Sequence, residues 1–518
     1  MLDEKVHRQI YTVLLAVLGV AMVSSVWLAN LAWVLIGINW LAGGRWAEKW
    51  QRAKQSRPLH AVLAFCGLLL AGMLWTADTA NGWSIMQVKL PLAVLPLVLL
   101  TSPPLPDRPR RAVAAVYVAA VTAVSIVAMI RMATIADLPY RQAVPHVSHI
   151  RFALNCCMVV YLAAGQLQRK EAPPALKAGM GLLAVWMVAV VMRLHSYTAL
   201  GILAVVSIAV PLATRRWWAV ALWLLAAGAV AAVAGNEVRR YYRLQPLSTQ
   251  ELQPCTANGR PYVHYRDGIV ENGNYINNYI CREELGEQWA RRSGVPFDSL
   301  AQSGYSIEST LIRYLNACGY TKDSAGVASL TDGQVAAVEQ GVANPVYQER
   351  HWLRQMVYTL LLEREYYRHT QAVAGFSTLQ RLSLWKATVE VIAEHPLAGV
   401  GTGDVVGAMQ EKLARQGSEL AGRPMRSHNQ YLGYAAAVGI PAAVAVLLLT
   451  LRAARTGWRR YRRGRADGMA FRLAWGLTIA VSMLTEDTLD TLAGILTAVF
   501  PLAFLPPAKE PHGEPPAQ

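Results

Sequence analysis

Arginine and histidine side chains lie at the ends of apolar segments at several points in the sequence. The clearest example is residues 422–441, GRPMRSHNQYLGYAAAVGIP, where Arg426, His428 and Asn429 precede an uncharged run. The planar guanidinium group of arginine binds phosphate oxygens well, and imidazole takes up or releases a proton near neutral pH. These residue types therefore predict a site that binds a phosphorylated group and moves a proton.

Other stretches carry the same kinds of side chain. They contain Arg141, His146, His149 and Arg151; Arg193 and His195; and Arg381, Lys386 and His395. Ionisable groups at membrane depth are costly and usually face a cavity, so together these stretches predict an outward-facing basic site for a lipid-linked phosphorylated substrate. For any single residue a plainer interpretation stays open, because an arginine can simply reach the membrane interface and a histidine can cap a helix.

The glycine-rich segment GVGTGD at 399–404 looks like a nucleotide-binding loop, but it follows a helical pattern rather than a strand. This context argues against a dinucleotide-binding fold. The glycines instead indicate a turn whose backbone N–H groups redirect the chain or hold an anion. No Cys, His or carboxylate pattern has the spacing of metal ligands, so neither a metal ion nor a cofactor is expected.

The composition indicates the elements that must position these residues. Of 518 residues, 54% are hydrophobic and 16% are charged, whereas soluble proteins average about 25% charged residues. A membrane-spanning helix needs roughly 20 apolar residues, and the sequence predicts about twelve such spans in an all-α polytopic membrane protein. The predicted spans are 10–26, 27–43, 59–76, 85–101, 111–134, 147–166, 177–193, 195–213, 217–235, 428–451, 468–484 and 488–506.

The net charge of +16 is distributed as in a membrane protein rather than a nucleic-acid-binding protein. Alternate connections, such as RAARTGWRRYRRGR, are basic, whereas the outer connections TADTANGW and TEDTLDT contain no Lys or Arg. The positive-inside rule then predicts that both termini are cytoplasmic, and anionic lipid headgroups explain the excess charge.

This topology predicts four regions. Residues 1–235 form a membrane region of about nine spans, and residues 236–427 form one large periplasmic loop domain between spans nine and ten. Residues 428–506 form three further spans, and the Pro-rich tail 507–518 is expected to be disordered and cytoplasmic.

Two features of the predicted loop domain carry further expectations. Residues 348–372 have the pattern of an amphipathic helix, for which packing on the membrane surface is the expected role. Cys255, Cys281 and Cys318 also lie in this domain, and an oxidising compartment would permit a Cys255–Cys281 disulfide on grounds of proximity alone.

Two parts of the chain resemble the core signature of the O-antigen ligase and polymerase superfamily. They are RLSLWKATVEVIAEHPLAGVGTGDV and RSHNQYLGYAAAVGIPA, which occur in the family's order around a large periplasmic loop. SHIRFAL at 148–154 and MLTEDTLDTLAG at 483–494 are similar to further motifs of the ligase branch. The resemblance implies a GT-C-like enzyme of the bacterial inner membrane whose active site faces the periplasm. It also implies inverting, metal-independent transfer of a glycan from undecaprenyl diphosphate to lipid A–core.

The resemblance also implies roles for individual residues. The family's essential histidine falls on His428, which would accept a proton from the acceptor hydroxyl. Its loop arginine falls on Arg381, for which diphosphate binding is implied, and Arg151 matches an arginine with a donor-binding or structural role. Arg426 would add a cation for the diphosphate, and Asn429 and His149 would support the site.

One position departs from the family pattern. Relatives often carry Ser-Arg-Thr at the top of the eighth span, where this chain has Tyr197 between Ser196 and Thr198. Arg193 would supply the missing cation if the preceding helix extends that far. Glu486 and Asp487 would orient an arginine or the histidine, or else form a solvated turn.

A helix that begins at His428 would direct free N–H groups toward the imidazole. Together with nearby arginines, this field is expected to lower the pKa of His428 and keep the base neutral.

Other functions remain open at the level of sequence. Within the same superfamily, a polymerase would extend the glycan, and a protein O-oligosaccharyltransferase would use a Ser or Thr acceptor. A transporter or flippase would also have many spans and buried arginines, but it would typically show inverted repeats, which this sequence lacks.

Overall fold

The structure is a computed structural model that describes residues 3–135, 138, 140–169, 171–349, 351–371, 373, 375–462 and 469–505. The tail predicted at 507–518 lies outside the described residues.

The described chain is predominantly helical. The helices are α1 (Glu4–Ser24), α2 (Val26–Ala42), α3 (Trp46–Gln55), α4 (Arg57–Ala71), α5 (Thr79–Thr101), α6 (Asp107–Thr134), α7 (His149–Leu167), α8 (Pro174–Arg193), α9 (Tyr197–Ala213), α10 (Trp217–Tyr242), α11 (Pro246–Thr249), α12 (Arg282–Arg292), α13 (Ile307–Cys318), α14 (Ser324–Ala328), α15 (Asp332–Glu339), α16 (Trp352–Thr370), α17 (Ser377–Glu394), α18 (Val405–Arg415), α19 (Gln430–Val438), α20 (Ile440–Arg462), α21 (Met469–Thr485) and α22 (Leu492–Val499). One antiparallel hairpin of two strands, β1 (Val270–Glu271) and β2 (Asn274–Tyr275), interrupts them.

The chain divides into two compact units. The first comprises Met1–Trp223 and Ser383–Gln518, and the second comprises Leu224–Leu382. Residues 383–427, which belong to the loop domain expected at 236–427, fall in the first unit, and the periplasmic loop itself stays a prediction.

The long apolar helices lie where the hydrophobic runs predicted them. Among the described residues, eight helices are long and apolar enough to cross a membrane, or nine if the bent pair α2 and α3 is one span. Shorter apolar helices begin at Tyr197, Ala470 and Leu492, in three further predicted spans. The fold is therefore that of an all-α, multi-pass membrane protein.

The tenth predicted span is the clearest departure from the sequence-based prediction. Residues 428–451 do not form one helix that begins at His428; α19 ends at Val438 and α20 starts at Ile440. Gly439 separates them with a φ of 89°, and a Cβ atom there would lie 1.9 Å from the carbonyl oxygen of Leu397. The close approach of the 395–404 turn to this position therefore requires glycine and breaks the helix.

The second unit has its own apolar core, built mainly around Trp289, Leu311 and Leu315. Arg313 forms a bidentate ion pair with the buried Glu271, with distances of 2.9 and 3.1 Å. The amphipathic helix predicted at 348–372 is α16, which contributes Leu362 to this core. Cys255 and Cys281 are both free in the structure, Cys255 exposed and Cys281 buried, so the expected disulfide is not formed.

Candidate active site

The candidate site in the first unit is built around the turn between α21 and α22. This turn carries Glu486, Asp487 and Asp490, and the first two side chains are buried. The solvated-turn interpretation of Glu486 and Asp487 is therefore wrong. Burial raises the pKa of Asp487 above its ordinary value, the negative charge of Asp490 adds to the rise, and the cation of Arg426 opposes it.

Arg151 of α7 anchors this turn from within the protein. Its Nη2 atom donates to the backbone oxygen of Asp487 at 3.0 Å, its Nε atom donates to Oγ1 of Thr491 at 3.3 Å, and its Nη1 atom lies 3.8 Å from Oε2 of Glu486. The side chain is almost fully buried. Of the two roles implied for Arg151, these contacts favour the structural one.

Lys89 of α5 holds the other end of the turn. Only 2% of its side chain is exposed, and its ammonium group contacts the Asp490 carboxylate. It also donates to the Leu489 carbonyl oxygen at 2.6 Å and to the Tyr434 hydroxyl at 2.9 Å. A buried ammonium ion needs such partners, because desolvation of an isolated charge is very costly.

Gln430 joins the turn to the start of α19. Its Nε2 atom donates to Oδ1 of Asp490 at 2.9 Å, and its Oε1 atom accepts from the Leu489 N–H at 2.7 Å. Arg426, half-exposed, donates to the backbone oxygen of Asp490 at 3.2 Å. The segment before α19 is thus fixed to the turn after α21.

His428 lies within this fixed segment, one residue before the helix cap. Asn429 is the N-cap of α19 and accepts from the Leu432 N–H at 3.1 Å. His428 has a φ of 51°, which L-residues rarely adopt. Its Nδ1 atom lies 3.8 Å from Oδ2 of Asp487, and 35% of its side chain is exposed. An imidazole held beside a carboxylate and open to solvent can act as a general base.

The glycine-rich turn at 399–404 supports α19 from its other end. The N–H groups of Val400 and Gly401 donate to the carbonyl oxygens of Ala436 and Ala437 at 2.8 and 3.0 Å. The Asp404 carboxylate accepts from the N–H groups of Ala77 and Asp78, at 2.7 Å each, before α5. Because its own N–H groups are engaged, the turn redirects the chain, and the anion-binding alternative is not favoured.

The remaining predicted residues are not part of this cluster. Arg193 is exposed at the end of α8, and no hydrogen bond or ion pair among the described residues links it to the acidic turn. His149 packs edge-on against Tyr140, with 5.5 Å between ring centroids. Arg381 lies on α17 in the second unit, so its diphosphate-binding role stays a prediction.

Sequence reasoning missed Lys89, Asp490 and Gln430. A signal for Lys89 was present, because it is a lone charge inside a predicted span, and such residues usually mark functional or structural sites. Asp490 lies within the 483–494 motif, where nothing local distinguishes it from the neighbouring carboxylates. Gln430 carried no signal, since a neutral amide after a helix cap is common.

The described residues include no group of three or more His, Cys, Asp or Glu side chains arranged to hold a metal ion. His428 instead lies beside Asp487. The charged neighbours of Asp487 itself are Asp490, Glu486, Arg151 and Arg426.

Comparison with known families gives one match. Residues 341–447 match the family model described as Wzy_C, O-antigen ligase. This segment contains Arg381, the glycine-rich turn and His428, and the match confirms the resemblance to the O-antigen ligase superfamily. No curated protein sequence matches the chain.

Proposed function

From the match of residues 341–447 to the O-antigen ligase family, we propose that the protein is a membrane glycosyltransferase that acts as an O-antigen ligase. It transfers an O-antigen glycan from undecaprenyl diphosphate to lipid A–core at the periplasmic face of the inner membrane. The anomeric configuration inverts, and no metal ion or cofactor takes part.

The observation that carries this proposal is the contact between His428 and Asp487. The acceptor hydroxyl oxygen attacks the anomeric carbon, and the bond from that carbon to the diphosphate oxygen breaks with its electron pair. His428 accepts the hydroxyl proton. Asp487, 3.8 Å from the imidazole Nδ1 atom, then stabilises the imidazolium ion that forms.

The leaving diphosphate gains negative charge as the bond breaks. Arg426 is half-exposed beside His428 and supplies one cation for it, and Arg381 supplies another according to the family resemblance. Arg151 acts indirectly, because its contacts with Asp487, Thr491 and Glu486 fix the turn that faces the base.

Two relatives of this reaction differ only in the acceptor. A polymerase would add the glycan to another lipid-linked glycan, and a protein O-oligosaccharyltransferase would add it to a Ser or Thr hydroxyl. Both enzymes would use the same donor and base as a ligase, so only the identity of the acceptor distinguishes the three activities.

The decisive experiment is reconstituted transfer. Purified protein is mixed with undecaprenyl-diphosphate glycan and either lipid A–core, a second lipid-linked glycan or an acceptor peptide, with and without EDTA. We expect glycosylated lipid A–core at an unchanged rate in EDTA. Product only on the second lipid-linked glycan would identify a polymerase, and product only on the peptide would identify a protein O-oligosaccharyltransferase. Loss of activity in EDTA that magnesium restores would contradict the metal-free mechanism.

A further inference from the structure

The second half of α20 carries an exposed basic face. Arg452, Arg455 and Arg459 are exposed and are spaced three and four residues apart. Residues at this spacing lie on the same face of a helix. Together with Leu448, Leu451 and Thr456, also on α20, they line an open depression of about 510 Å³ on the helix surface.

Within the described part of the chain, the side chains of these arginines have no protein partner. In the ranges that the structure describes, no hydrogen bond or ion pair engages the guanidinium group of Arg452, Arg455 or Arg459. By contrast, Arg151 and Arg426 both contact the acidic turn. The three charges are therefore available to an external anion.

Other positions on α20 make the contacts with neighbouring helices. A Cβ atom at Gly476 of α21 would lie 2.6 Å from the backbone nitrogen of Ala454, so the two helices nearly touch there. The Trp458 indole donates to the Ala213 carbonyl oxygen of α9 at 3.0 Å. These contacts fix the rotation of α20 and leave the arginine face exposed.

The same depression has an apolar part. Leu448 precedes Arg452 by four residues, and Leu451 precedes Arg455 by four, which is about one helical turn in each case. Leu448 is 60% exposed and Leu451 is 40% exposed. Along the helix axis the surface thus changes from apolar to cationic. Arg452 and Arg459 are about 10 Å apart along the axis, from the rise of 1.5 Å per residue. This spacing accommodates one phosphodiester headgroup or two adjacent ones.

We infer that this face of α20 is a binding site for an anionic diacyl glycerophospholipid. Its phosphate contacts the guanidinium groups of Arg452, Arg455 and Arg459, and its acyl chains cover Leu448 and Leu451. A cluster of arginines that adjoins the apolar surface of a membrane helix attracts anionic lipids for this reason. A soluble phosphate would use the cations but leave the leucines uncovered.

This lipid site is separate from the candidate active site. Arg452 and Arg459 lie roughly 18 to 29 Å along α20 from its first residue, at the end remote from α19 and His428. The inference therefore does not depend on the proposed transferase activity.

The test is lipid binding to the full-length protein in detergent after delipidation, measured by native mass spectrometry and by thermal shift. Phosphatidylglycerol is compared with phosphatidylcholine of the same acyl chains and with glycerol phosphate. We expect phosphatidylglycerol to bind at least about tenfold more tightly than zwitterionic phosphatidylcholine, because each arginine near a net negative charge strengthens binding about fivefold. It should also bind more tightly than glycerol phosphate, which has the charge but no acyl chains to cover Leu448 and Leu451. Equal binding of phosphatidylcholine would overturn the proposal, and equal binding of glycerol phosphate would identify a phosphate site instead.

Variants assign the binding to this face. The triple variant Arg452→Gln/Arg455→Gln/Arg459→Gln should bind phosphatidylglycerol roughly hundredfold more weakly. The variant Arg452→Lys/Arg455→Lys/Arg459→Lys keeps the positive charges that set the orientation of the helix in the membrane. It should retain most of the binding of phosphatidylglycerol. A control triple, Lys54→Gln/Arg57→Gln/Arg108→Gln, removes the same charge from other exposed positions and should bind normally. Normal binding by the first triple, or the same loss in the control, would contradict the assignment.

Discussion

The Nδ1 atom of His428 lies 3.8 Å from Oδ2 of Asp487, and the two residues come from different parts of the chain. His428 precedes α19, whereas Asp487 lies in the turn after α21. Gln430 holds these segments together through Asp490 and Leu489. A half-exposed imidazole is thus paired with a buried carboxylate, so a change at either residue should affect proton transfer.

Replacement of His428 should abolish transfer but preserve the fold. Asparagine suits the test, because it tolerates the positive φ at this position better than alanine but lacks the imidazole. We expect His428→Asn to lower the transfer rate by roughly 10²–10⁴-fold, with an unchanged thermal unfolding midpoint. His60→Ala removes an exposed histidine on α4 as a control. Near-normal transfer by His428→Asn would show that the histidine has only a local structural role.

Replacement of Asp487 should change how transfer depends on pH. In Asp487→Asn no carboxylate lies beside the imidazole, so the imidazolium ion is less stable. His428 therefore stays neutral at lower pH than in the wild type. The acid limb of the pH–rate profile should then move to lower pH, while the maximal rate falls roughly ten- to hundredfold because the imidazolium of the transition state loses its partner. Asp107→Asn, which neutralises an exposed carboxylate at the start of α6, serves as the control. An unshifted acid limb would mean that Asp487 does not act on the base.

Replacement of Arg381 should weaken catalysis through the diphosphate. A charge-assisted hydrogen bond to the leaving group contributes about 1.5–3 kcal/mol, so Arg381→Ala should lower the transfer rate roughly ten- to hundredfold. Arg381→Lys should restore only part of this loss, because an ammonium group cannot replace a planar guanidinium fork. Arg108→Ala is the matched control. Full activity of Arg381→Ala would show that Arg381 does not bind the diphosphate.

Lys89 should matter for stability more than its single charge suggests. Lys89→Met leaves the Asp490 carboxylate without its buried cation, and removal of one member of a buried pair costs about 3–5 kcal/mol. The thermal midpoint should fall markedly, and Lys89→Met/Asp490→Asn should recover part of it. If the thermal midpoint of the double variant is no higher than that of Lys89→Met, the two charges do not depend on each other.

The second unit should become more stable as the pH rises above neutral. Lys322 is fully buried, and its Nζ atom donates to Oδ1 of Asn316 at 2.9 Å. Burial lowers the pKa of Lys322 from 10.5 to about 7. Between these values the unfolded chain binds the extra proton, so the free energy of unfolding rises with pH by up to about 1.4 kcal/mol per unit.

Lys322→Met should remove this slope. Thermal unfolding of wild type and Lys322→Met in detergent at pH 6, 7, 8 and 9 would measure it, because other titrating groups cancel in the difference. Lys386→Met, which removes a lysine from α17, provides the control. A wild-type-minus-variant difference that stays constant over this range would show that Lys322 keeps its proton in the folded protein.

The sequence by itself determined the membrane class, the approximate positions of the apolar helices and the family resemblance. These depend on properties that lie along the chain: apolar runs of spanning length, charge alternation, and motifs such as HPLAGVG and HNQYLGY. Length and hydrophobicity are local, because each helix satisfies its own backbone hydrogen bonds in an apolar environment. Residue types and the order of motifs can also be read along the chain, so the sequence alone marks His428 and the acidic motif at 483–494 as candidates.

Only the tertiary structure decided which residues contact one another in the site, including residues that the sequence did not mark. Lys89, Gln430 and Asp490 come from α5, α19 and the turn after α21, and their contacts depend on how these helices pack. The break at Gly439 likewise results from the approach of the 395–404 turn, which no local pattern reports. Burial of a charge is favourable only beside the right partner, and the distance between residues far apart in sequence is set by packing alone.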